Sequence, residues 1–300
     1  MPSESASDVR SLLEAATATL AAAGVPTPRV DAEVLLAHDL GLDRSRLSAL
    51  QVMRTPVTPV RFSELLALRA DRIPLQHLTG VAGFRGLTLR VGPGVFVPRP
   101  ETETVAQLAL DAARAVRREA GPVVVDLCTG SGAIALAVAT ELPGARVHAV
   151  ELDPLAHAWA RRNVDEHAER LDVPLDLRLG DAATAFEDLR GQVDVVVSNP
   201  PYVPPGAVPQ EREVAEHDPE LALYGGGEDG LAVPRRVLRR AATLLRPGGY
   251  VVLEHAEVQA GSARAMFVAA GGWTEITGHR DLTDRPRATS ARRAGSAGEG

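Results

Sequence analysis

The chain has 300 residues, 45% of them hydrophobic, enough for one large or two modest domains with a real core, and its formal net charge of -7 argues against a general nucleic-acid binder. All 32 basic residues are Arg, so a Walker-type phosphate lysine and a Schiff-base lysine are both excluded. Cys128 is the only cysteine, which rules out an intrachain disulfide and a multi-cysteine zinc site and suits a reducing compartment.

From Asp8 to about Arg72 apolar residues recur at helical spacing: Leu12, Leu13, Ala16 and Leu20, then Val30, Val34, Leu35 and Leu42, then Phe62, Leu65, Leu66 and Leu68. Residues 1–82 are expected to form a small helical recognition domain. Through residue 85 this part holds nine Arg and nine Asp or Glu, so it is neutral and poorly suited to gripping a phosphate backbone. Between Gly83 and Pro100 the pattern turns β-prone: Leu87, Leu89 and Val91 alternate before Gly92-Pro93-Gly94 and Val95-Phe96-Val97, which predicts a β-hairpin linker over 83–100. A helix is predicted near Thr102–Arg118. Strands are predicted at Val123–Leu127, Arg146–Val150, Leu175–Leu179, Val193–Ser198 and Tyr250–Glu254, alternating with helical stretches as in a parallel, doubly wound sheet. The tail 288–300, rich in Ala, Gly, Ser and Arg, is expected to be disordered. The opening Met1-Pro2-Ser3-Glu4-Ser5 lacks the basic and apolar parts of a signal peptide, and no apolar run approaches the ~18 residues that span a bilayer. A cytoplasmic protein with no membrane partner is expected.

Two stretches carry chemistry. Val123–Leu127 runs into Cys128-Thr129-Gly130-Ser131-Gly132-Ala133 and a helix-like Ile134–Glu141, a strand, glycine turn and helix whose backbone amides can approach a ligand closely. Nineteen residues beyond Gly132, Glu151 ends the next strand, where an acidic side chain can accept both hydroxyls of a ribose. Gly130-x-Gly132-x-x-Ala135 also partly satisfies a nicotinamide-dinucleotide fingerprint, so the loop alone leaves a dehydrogenase and an S-adenosylmethionine (SAM) enzyme both open. Asp126 could receive the methionine ammonium of SAM; Gly180-Asp181 could reach the adenine, or Asp181 could simply cap the following turn.

The second stretch is Asn199-Pro200-Pro201-Tyr202, directly after the buried-strand pattern Val193–Ser198. An Asn oxygen accepts hydrogen bonds, and two prolines remove two backbone donors while leaving their carbonyls. Such a loop is rich in acceptors and suits a planar NH₂ group, amide or arylamine, against whose plane Tyr202 can pack.

The glycine loop, Glu151 and Asn199-Pro200-Pro201-Tyr202 together resemble a class I SAM-dependent methyltransferase of the amino-methylating kind. Pro74-Leu75-Gln76-His77-Leu78-Thr79-Gly80, Val97-Pro98-Arg99-Pro100-Glu101-Thr102-Glu103, Asp218-Pro219-Glu220-Leu221-Ala222-Leu223 and Leu253-Glu254-His255 narrow the resemblance to the HemK/PrmC family, the peptide chain release factor N5-glutamine methyltransferases. The resemblance covers about Asp8 to Arg285. It implies an α/β, Rossmann-like fold with a mostly parallel seven-stranded sheet over 101–287, preceded by a helical domain that helps recognise class-one release factors. It implies SAM as donor, S-adenosylhomocysteine as product, and methylation of the Gln in the substrate's Gly-Gly-Gln motif. Asn199, Pro200 and Tyr202 would be catalytic, with Pro201 also at the substrate. Asp126, Cys128, Thr129, Gly130, Ser131, Gly132, Glu151, Asp181, Ala182 and Asn199 would line the cofactor. Two departures stand out: Cys128 replaces a usual Gly, and Ala182 stands where a Trp often follows the Asp.

No metal is expected, because His217, His255 and His279 lack metal-ligand spacing. Arg99–Glu103 is expected to brace structure rather than touch ligands. Arg235, Arg236, Arg239 and Arg240 are expected to form a solvated face. A monomer without direct nucleic-acid contact is expected. The alternatives are an adenine-N6 methyltransferase acting on DNA or RNA, since an arylamine fits the same acceptors after base flipping, and a SAM-binding regulator without turnover.

Overall fold

The structure is a computed structural model, and it describes residues 7–207, 209 and 211–295. Its helices are α1 (Val9–Ala22), α2 (Pro28–Asp39), α3 (Arg44–Val52), α4 (Phe62–Ala70), α5 (Leu75–Thr79), α6 (Thr102–Arg114), α7 (Ala133–Glu141), α8 (Pro154–Glu166), α9 (Arg212–His217), α10 (Glu220–Leu223), α11 (Ala232–Leu244) and α12 (Ala260–Ala270). Its strands are β1 (Ser7–Asp8), β2 (Pro56–Val57), β3 (Val81–Phe84), β4 (Leu87–Arg90), β5 (Val123–Leu127), β6 (Arg146–Glu151), β7 (Asp176–Leu179), β8 (Val193–Ser198), β9 (Leu245–Glu254), β10 (Trp273–Arg280) and β11 (Pro286–Arg293). Two compact units result: one holds the chain up to Val81 together with Pro209–His217, and the other runs from Ala82 and resumes at Asp218.

In the helical unit, α1 starts where the Asp8 carboxylate accepts the Arg10 N–H at 3.1 Å, and it buries Val9, Leu13, Ala16 and Leu20 at the predicted spacing. Those residues join Leu35, Leu36, Leu47, Phe62 and Leu65 in one apolar cluster. Leu42, read as part of the second helix, lies past its end at Asp39. The segment Pro209–His217 belongs to this unit although it is remote in sequence. Glu213 on α9 accepts from Arg69 at 2.8 Å and from Arg72 at 2.8 and 2.6 Å, while Arg69 also holds the buried Asp31 at 2.7 Å. Burial opposes the charge, but the hydrogen bonds from Arg72 and Arg69 win and hold the Glu213 carboxyl down at about 2.

The second unit is a seven-stranded sheet in the order β10-β11-β9-β8-β5-β6-β7. Strands β9, β8, β5, β6 and β7 are parallel to one another, and β11 and β10 add antiparallel pairs at one end. One face packs on α6, α7 and α8 through residues such as Val105, Leu110, Leu136 and Ala160; the other packs on α11 and α12 through Val237, Leu238, Leu244 and Phe267. Strands β5 and β8 are buried along their whole length, as apolar runs between two helical layers must be.

Three sequence expectations are corrected. The tail is not disordered from residue 288: β11 runs to Arg293 with Ala288, Thr289, Ser290 and Ala291 buried, because pairing with β9 on one side and β10 on the other satisfies its backbone. Residues 296–300 of that tail lie outside the described residues. The hairpin lies earlier than the predicted turn at Gly92–Gly94: β3 and β4 form the two-stranded sheet across Arg85-Gly86, and Val95–Val97 is not a strand. The helix predicted to reach Arg118 ends at Arg114.

Removing Glu213 leaves two arginines, one of them buried, without their shared counter-charge. Glu213→Ala is expected to destabilise the protein by on the order of 3 kcal/mol in denaturant titrations. A carboxyl depressed from 4.5 to about 2 contributes stability above pH 4.5 that is lost as pH falls toward 2, so the parent but not the variant should lose this increment across that window.

Candidate active site

The site follows from strand register. In the parallel ladder Leu127 lies opposite Val150 of β6 and Ser198 of β8, and Glu151 lies opposite Leu179 of β7. The loop after β5, the end of β6, the loop after β7 and the loop after β8 therefore emerge side by side at the carboxyl edge of the sheet, where ligands bind in open α/β sheets. Asp126, the 128–132 turn, Glu151, Asp181 and Asn199–Tyr202 are brought to this one edge.

After β5 the chain reverses through three left-handed residues, Cys128 (φ +64°), Gly130 (φ +59°) and Gly132 (φ +84°), before α7. Gly suits the first of these, and a cysteine there carries a left-handed penalty of about 1 kcal/mol. This is the physical content of the departure at Cys128. Its thiol is pushed up by burial, with Glu151 and Asp126 adding to the rise. The Glu151 carboxylate organises the turn: Oε2 accepts from Gly130 N–H at 2.8 Å, and Oε1 accepts from Leu152 and Asp153 N–H at 2.8 and 2.9 Å. Burial still raises its pKa against those bonds. Asp126 is 1% exposed; its Oδ2 accepts from the Thr129 hydroxyl at 2.5 Å, and its Oδ1 is buried without a hydrogen bond. Burial lifts this carboxyl to about 7, the Thr129 hydroxyl and the Ala135 backbone N–H opposing and Glu151 adding. Ser131 turns its carbonyl to Asn163 Nδ2 at 2.9 Å, which fastens the loop to α8.

Asp181 accepts from Ala183 N–H at 2.8 Å and from Arg236 at 2.9 Å on both oxygens, so it caps its turn and carries an ion pair. Ala182 is buried among Val125, Leu127 and Val150. The solvated-face reading of the arginine run holds for the exposed Arg236 and Arg239 and fails at Arg240, which is buried. Arg235 pairs with Asp229, and Arg240, 7% exposed, donates to the Ala185 carbonyl at 2.7 Å and to Glu187 at 2.8 Å. Their forked donors tie α11 to neighbouring loops.

The acceptor loop is held rigidly. The Ser198 hydroxyl donates to the Leu127 carbonyl, joining the ends of β8 and β5. Asn199 Nδ2 donates to Thr102 Oγ1 at 3.3 Å. The Tyr202 hydroxyl donates to Glu254 Oε1 at 3.2 Å, and burial drives the phenol's pKa up. Val203 N–H reaches Leu223 O at 2.8 Å, Gly225 N–H reaches Val203 O at 3.1 Å, and Gln259 Nε2 donates to the Tyr202 and Asp229 carbonyls at 2.7 and 2.8 Å. Arg99 salt-bridges Asp218 at 2.7 Å and lies 5.0 Å from the Phe96 ring centroid, and Glu103 accepts from Arg85 N–H at 2.8 Å, so this stretch does brace the structure. Thr102 is its exception, since it touches the acceptor loop directly. Thr102 and Glu254 were missed as site residues, their only sequence signal being membership of the quoted motifs, and Gln259 was missed with no signal at all.

A sheet of this order, with a glycine turn after its first central strand, a buried acid at the end of the next, and an acceptor loop after the fourth, defines a class I SAM-dependent methyltransferase. The fold is shared by a methyltransferase from Pyrococcus furiosus (TM-score 0.50, 19% identity, 70% of this chain and 90% of that one) and by the hMettl16 catalytic domain in complex with the MAT2A 3'UTR hairpin 6 (TM-score 0.53, 15% identity, 80% and 84%). Residues 11–80 match the PrmC N-terminal domain model and residues 87–215 the methyltransferase small domain model. A release factor glutamine methyltransferase of Streptomyces coelicolor is 52% identical over 283 residues, 93% of this chain and 96% of the relative. One of Mycolicibacterium smegmatis is 49% identical over 285 residues, 95% and 98%. The chain belongs to the release factor glutamine methyltransferase family. A relative of different description, a 4-amino-L-phenylalanine/4-methylamino-L-phenylalanine methyltransferase of Streptomyces pristinaespiralis, is 40% identical over 276 residues, 91% of each chain.

The loop geometry depends on two glycines. A Cβ on Gly225 would lie 1.9 Å from Gly230 O and 2.5 Å from Pro201 O, and one on Gly230 would lie 2.3 Å from Tyr202 O. Gly225→Ala is expected to destabilise the protein by about 1–3 kcal/mol and to displace the Pro201–Tyr202 backbone. A variant as stable and as active as the parent would contradict this packing.

Proposed function

We propose that the chain transfers the methyl group of SAM to the side-chain amide nitrogen of the Gly-Gly-Gln glutamine of class-one release factors, and that it acts as a cytoplasmic monomer without contacting nucleic acid itself. The observation that carries this reading is the orientation of Asn199. With Nδ2 committed to Thr102, Oδ1 remains to accept from a substrate NH₂, at the sheet edge that also carries Asp126 and Glu151.

The residues fit the donor. The buried Asp126 carboxyl, whose Oδ1 has no hydrogen bond, can receive an ammonium in its ionised form, and Glu151, fixed by three backbone N–H groups, keeps lone pairs for ribose hydroxyls. Thr129, Gly130, Ser131 and Gly132 supply the turn that passes close to the ligand, with Cys128 at its start; Asp181 and Ala182 flank the adenine end. When bound, SAM supplies a sulfonium methyl reactive enough for a neutral amide nitrogen and leaves as S-adenosylhomocysteine.

The chain's own contribution is orientation and electrostatics. An amide nitrogen is a poor nucleophile because its lone pair is delocalised. Asn199 Oδ1 and the Pro200 carbonyl accept its two hydrogens, which fixes the nitrogen in line and stabilises positive charge developing there. Pro201 keeps the loop free of a competing backbone donor, and Tyr202 packs on the amide plane. The proton departs to solvent after transfer, so no catalytic His or Cys is required. An aryl amine satisfies the same two acceptors, and the Streptomyces pristinaespiralis relative keeps that second reading in play. The neutral N-terminal segment weighs against a duplex nucleic-acid substrate.

Incubation with SAM and a release factor should add one methyl group to the Gly-Gly-Gln glutamine by mass spectrometry. A Gln→Ala substrate, duplex DNA and free 4-aminophenylalanine should stay unmodified; methylation of the last alone would favour the arylamine reading. Asn199→Ala is expected to lower turnover by about 100-fold or more with little change in SAM affinity. Near-parent turnover would remove Asn199 from its assigned role.

SAM affinity should also depend on pH. Affinity should fall above about 8, where the ligand's own α-ammonium deprotonates, and, because a cation binds the ionised form of Asp126, which titrates near 7, it should also weaken as pH falls below about 7. Calorimetry on Asp126→Asn is expected to show weaker binding without that acid-side dependence.

A further inference from the structure

One buried acid at the site is used by neither the cofactor loop nor the substrate amide. Glu254 ends β9 and is 2% exposed, one strand over from the acceptor loop, since Ser198 pairs with Leu253. Its Oε1 accepts from the Tyr202 hydroxyl at 3.2 Å, while its Oε2 is buried and accepts no hydrogen bond. Thr102, the first residue of α6 and 4% exposed, bonds Asn199 and influences the Glu254 carboxyl. Its Oγ1 accepts from Asn199 Nδ2 at 3.3 Å, and its hydroxyl favours the ionised Glu254 carboxyl.

A threonine hydroxyl has a single hydrogen to give. If Thr102 accepts from Asn199, that hydrogen needs another acceptor, and the Glu254 carboxylate is the one beside it. The donor sequence then runs from Asn199 Nδ2 to Thr102 and from Thr102 to Glu254, with Tyr202 joining from the other side. If the threonine hydrogen pointed at Asn199 instead, the asparagine would turn its oxygen inward and present NH₂ to the substrate. A donor would then face a donor.

We propose that Glu254 is the positioning residue of the acceptor loop: bonded to Tyr202 through Oε1 and, as a carboxylate, offering its open Oε2 to the Thr102 hydroxyl, it holds the Asn199 oxygen toward the glutamine amide. The proposal rests on the reading of Asn199 as the amide acceptor. It also accounts for a buried acid that nothing else in the site employs.

The surroundings give the device a pH dependence. Burial lifts the Glu254 carboxyl to about 7; Thr102, Arg287 and Tyr202 oppose the shift and Glu101 adds to it. Arg287 is also held by Asp281 at 3.2 Å, and the neighbouring His255 turns its ring nitrogens to Ala256 O and Thr289 Oγ1. Below this range Glu254 carries a proton, Thr102 loses its acceptor and turnover falls. Above it the carboxylate accepts from both neighbours.

The test uses full-length protein, SAM and a release factor, with kcat and KM measured from about pH 6 to about pH 8 and SAM affinity measured by calorimetry. Glu254→Gln is expected to lower kcat by about 10- to 100-fold, to leave SAM affinity within about twofold, and to flatten the kcat rise near 7. Thr102→Val should reproduce the loss, Thr102→Ser should restore most of it, and the Glu254→Gln/Thr102→Val double variant should be no worse than the poorer single one. A Glu254→Gln protein with parental kcat and pH profile overturns the proposal, as does equal damage to SAM binding, or a Thr102→Ser variant as poor as Thr102→Val. If Glu254→Gln does not fold, the Thr102 pair decides alone. Asn199→Ala separates the two levels: if it retains turnover, the acceptor reading fails, whereas if it loses turnover while the Glu254 and Thr102 variants do not, only this proposal fails.

Discussion

The parallel ladder between β5 and its two neighbours is the constraint on which the site depends. Side chains alternate along a strand, so slipping β8 by one residue against β5 would turn Ser198 away from Leu127 and send Asn199 to the wrong face. The apolar run Val195–Val197 would be buried on either face, so its polar neighbours resist the slip: Asp194 accepts from Val123 N–H at 2.9 Å and pairs with Arg118 and Arg246. The Ser198 hydroxyl fixes the last step of the register to the Leu127 carbonyl. The acid at the end of β6 and the acceptor loop after β8 are therefore positioned by the core, before any ligand contributes.

On that frame the local chemistry divides into two parts with opposite demands. On the proposed reading the cofactor side collects acids in a buried place, where Asp126 and Glu151 bind protons more tightly than free carboxyls. The proposed acceptor side would present oxygen and exclude donors, since two prolines carry no backbone N–H and the Asn199 NH₂ donates to Thr102. Elsewhere the arginines serve as structural connectors: Arg69 and Arg72 secure Glu213, Arg85 grips Glu141, and Arg178 bridges Asp176 and Asp188. Their planar forks suit this better than lysines would.

Much of this was legible in sequence where a local signal was strong. The runs at Val123–Leu127 and Val193–Ser198 coincide with β5 and β8, and the glycine turn lies where its spacing put it. Features that depend on long-range pairing were not legible. Pro286–Arg293 is composed of small and charged residues that read as a loose tail, and becomes a strand only because β9 offers it a ladder. The membership of Pro209–His217 in the helical unit is invisible locally, since it rests on one glutamate meeting two arginines more than a hundred residues away. Arg240 resembled its exposed neighbours because helical periodicity does not say what an adjoining loop will offer. Glu254 was quoted only as part of a motif; its role lies in meeting Tyr202 and neighbouring Thr102, from three separate elements.

The central claim is that Asn199 presents its oxygen, and not its NH₂, to the substrate. A crystal structure with S-adenosylhomocysteine and a Gly-Gly-Gln peptide tests this most directly, with the amide orientation assigned from its hydrogen-bond partners. The account predicts the glutamine nitrogen within hydrogen-bond distance of Asn199 Oδ1 and the Pro200 carbonyl, with Asn199 Nδ2 still on Thr102. A glutamine carbonyl facing Asn199, or an amide bound away from this loop, would contradict it.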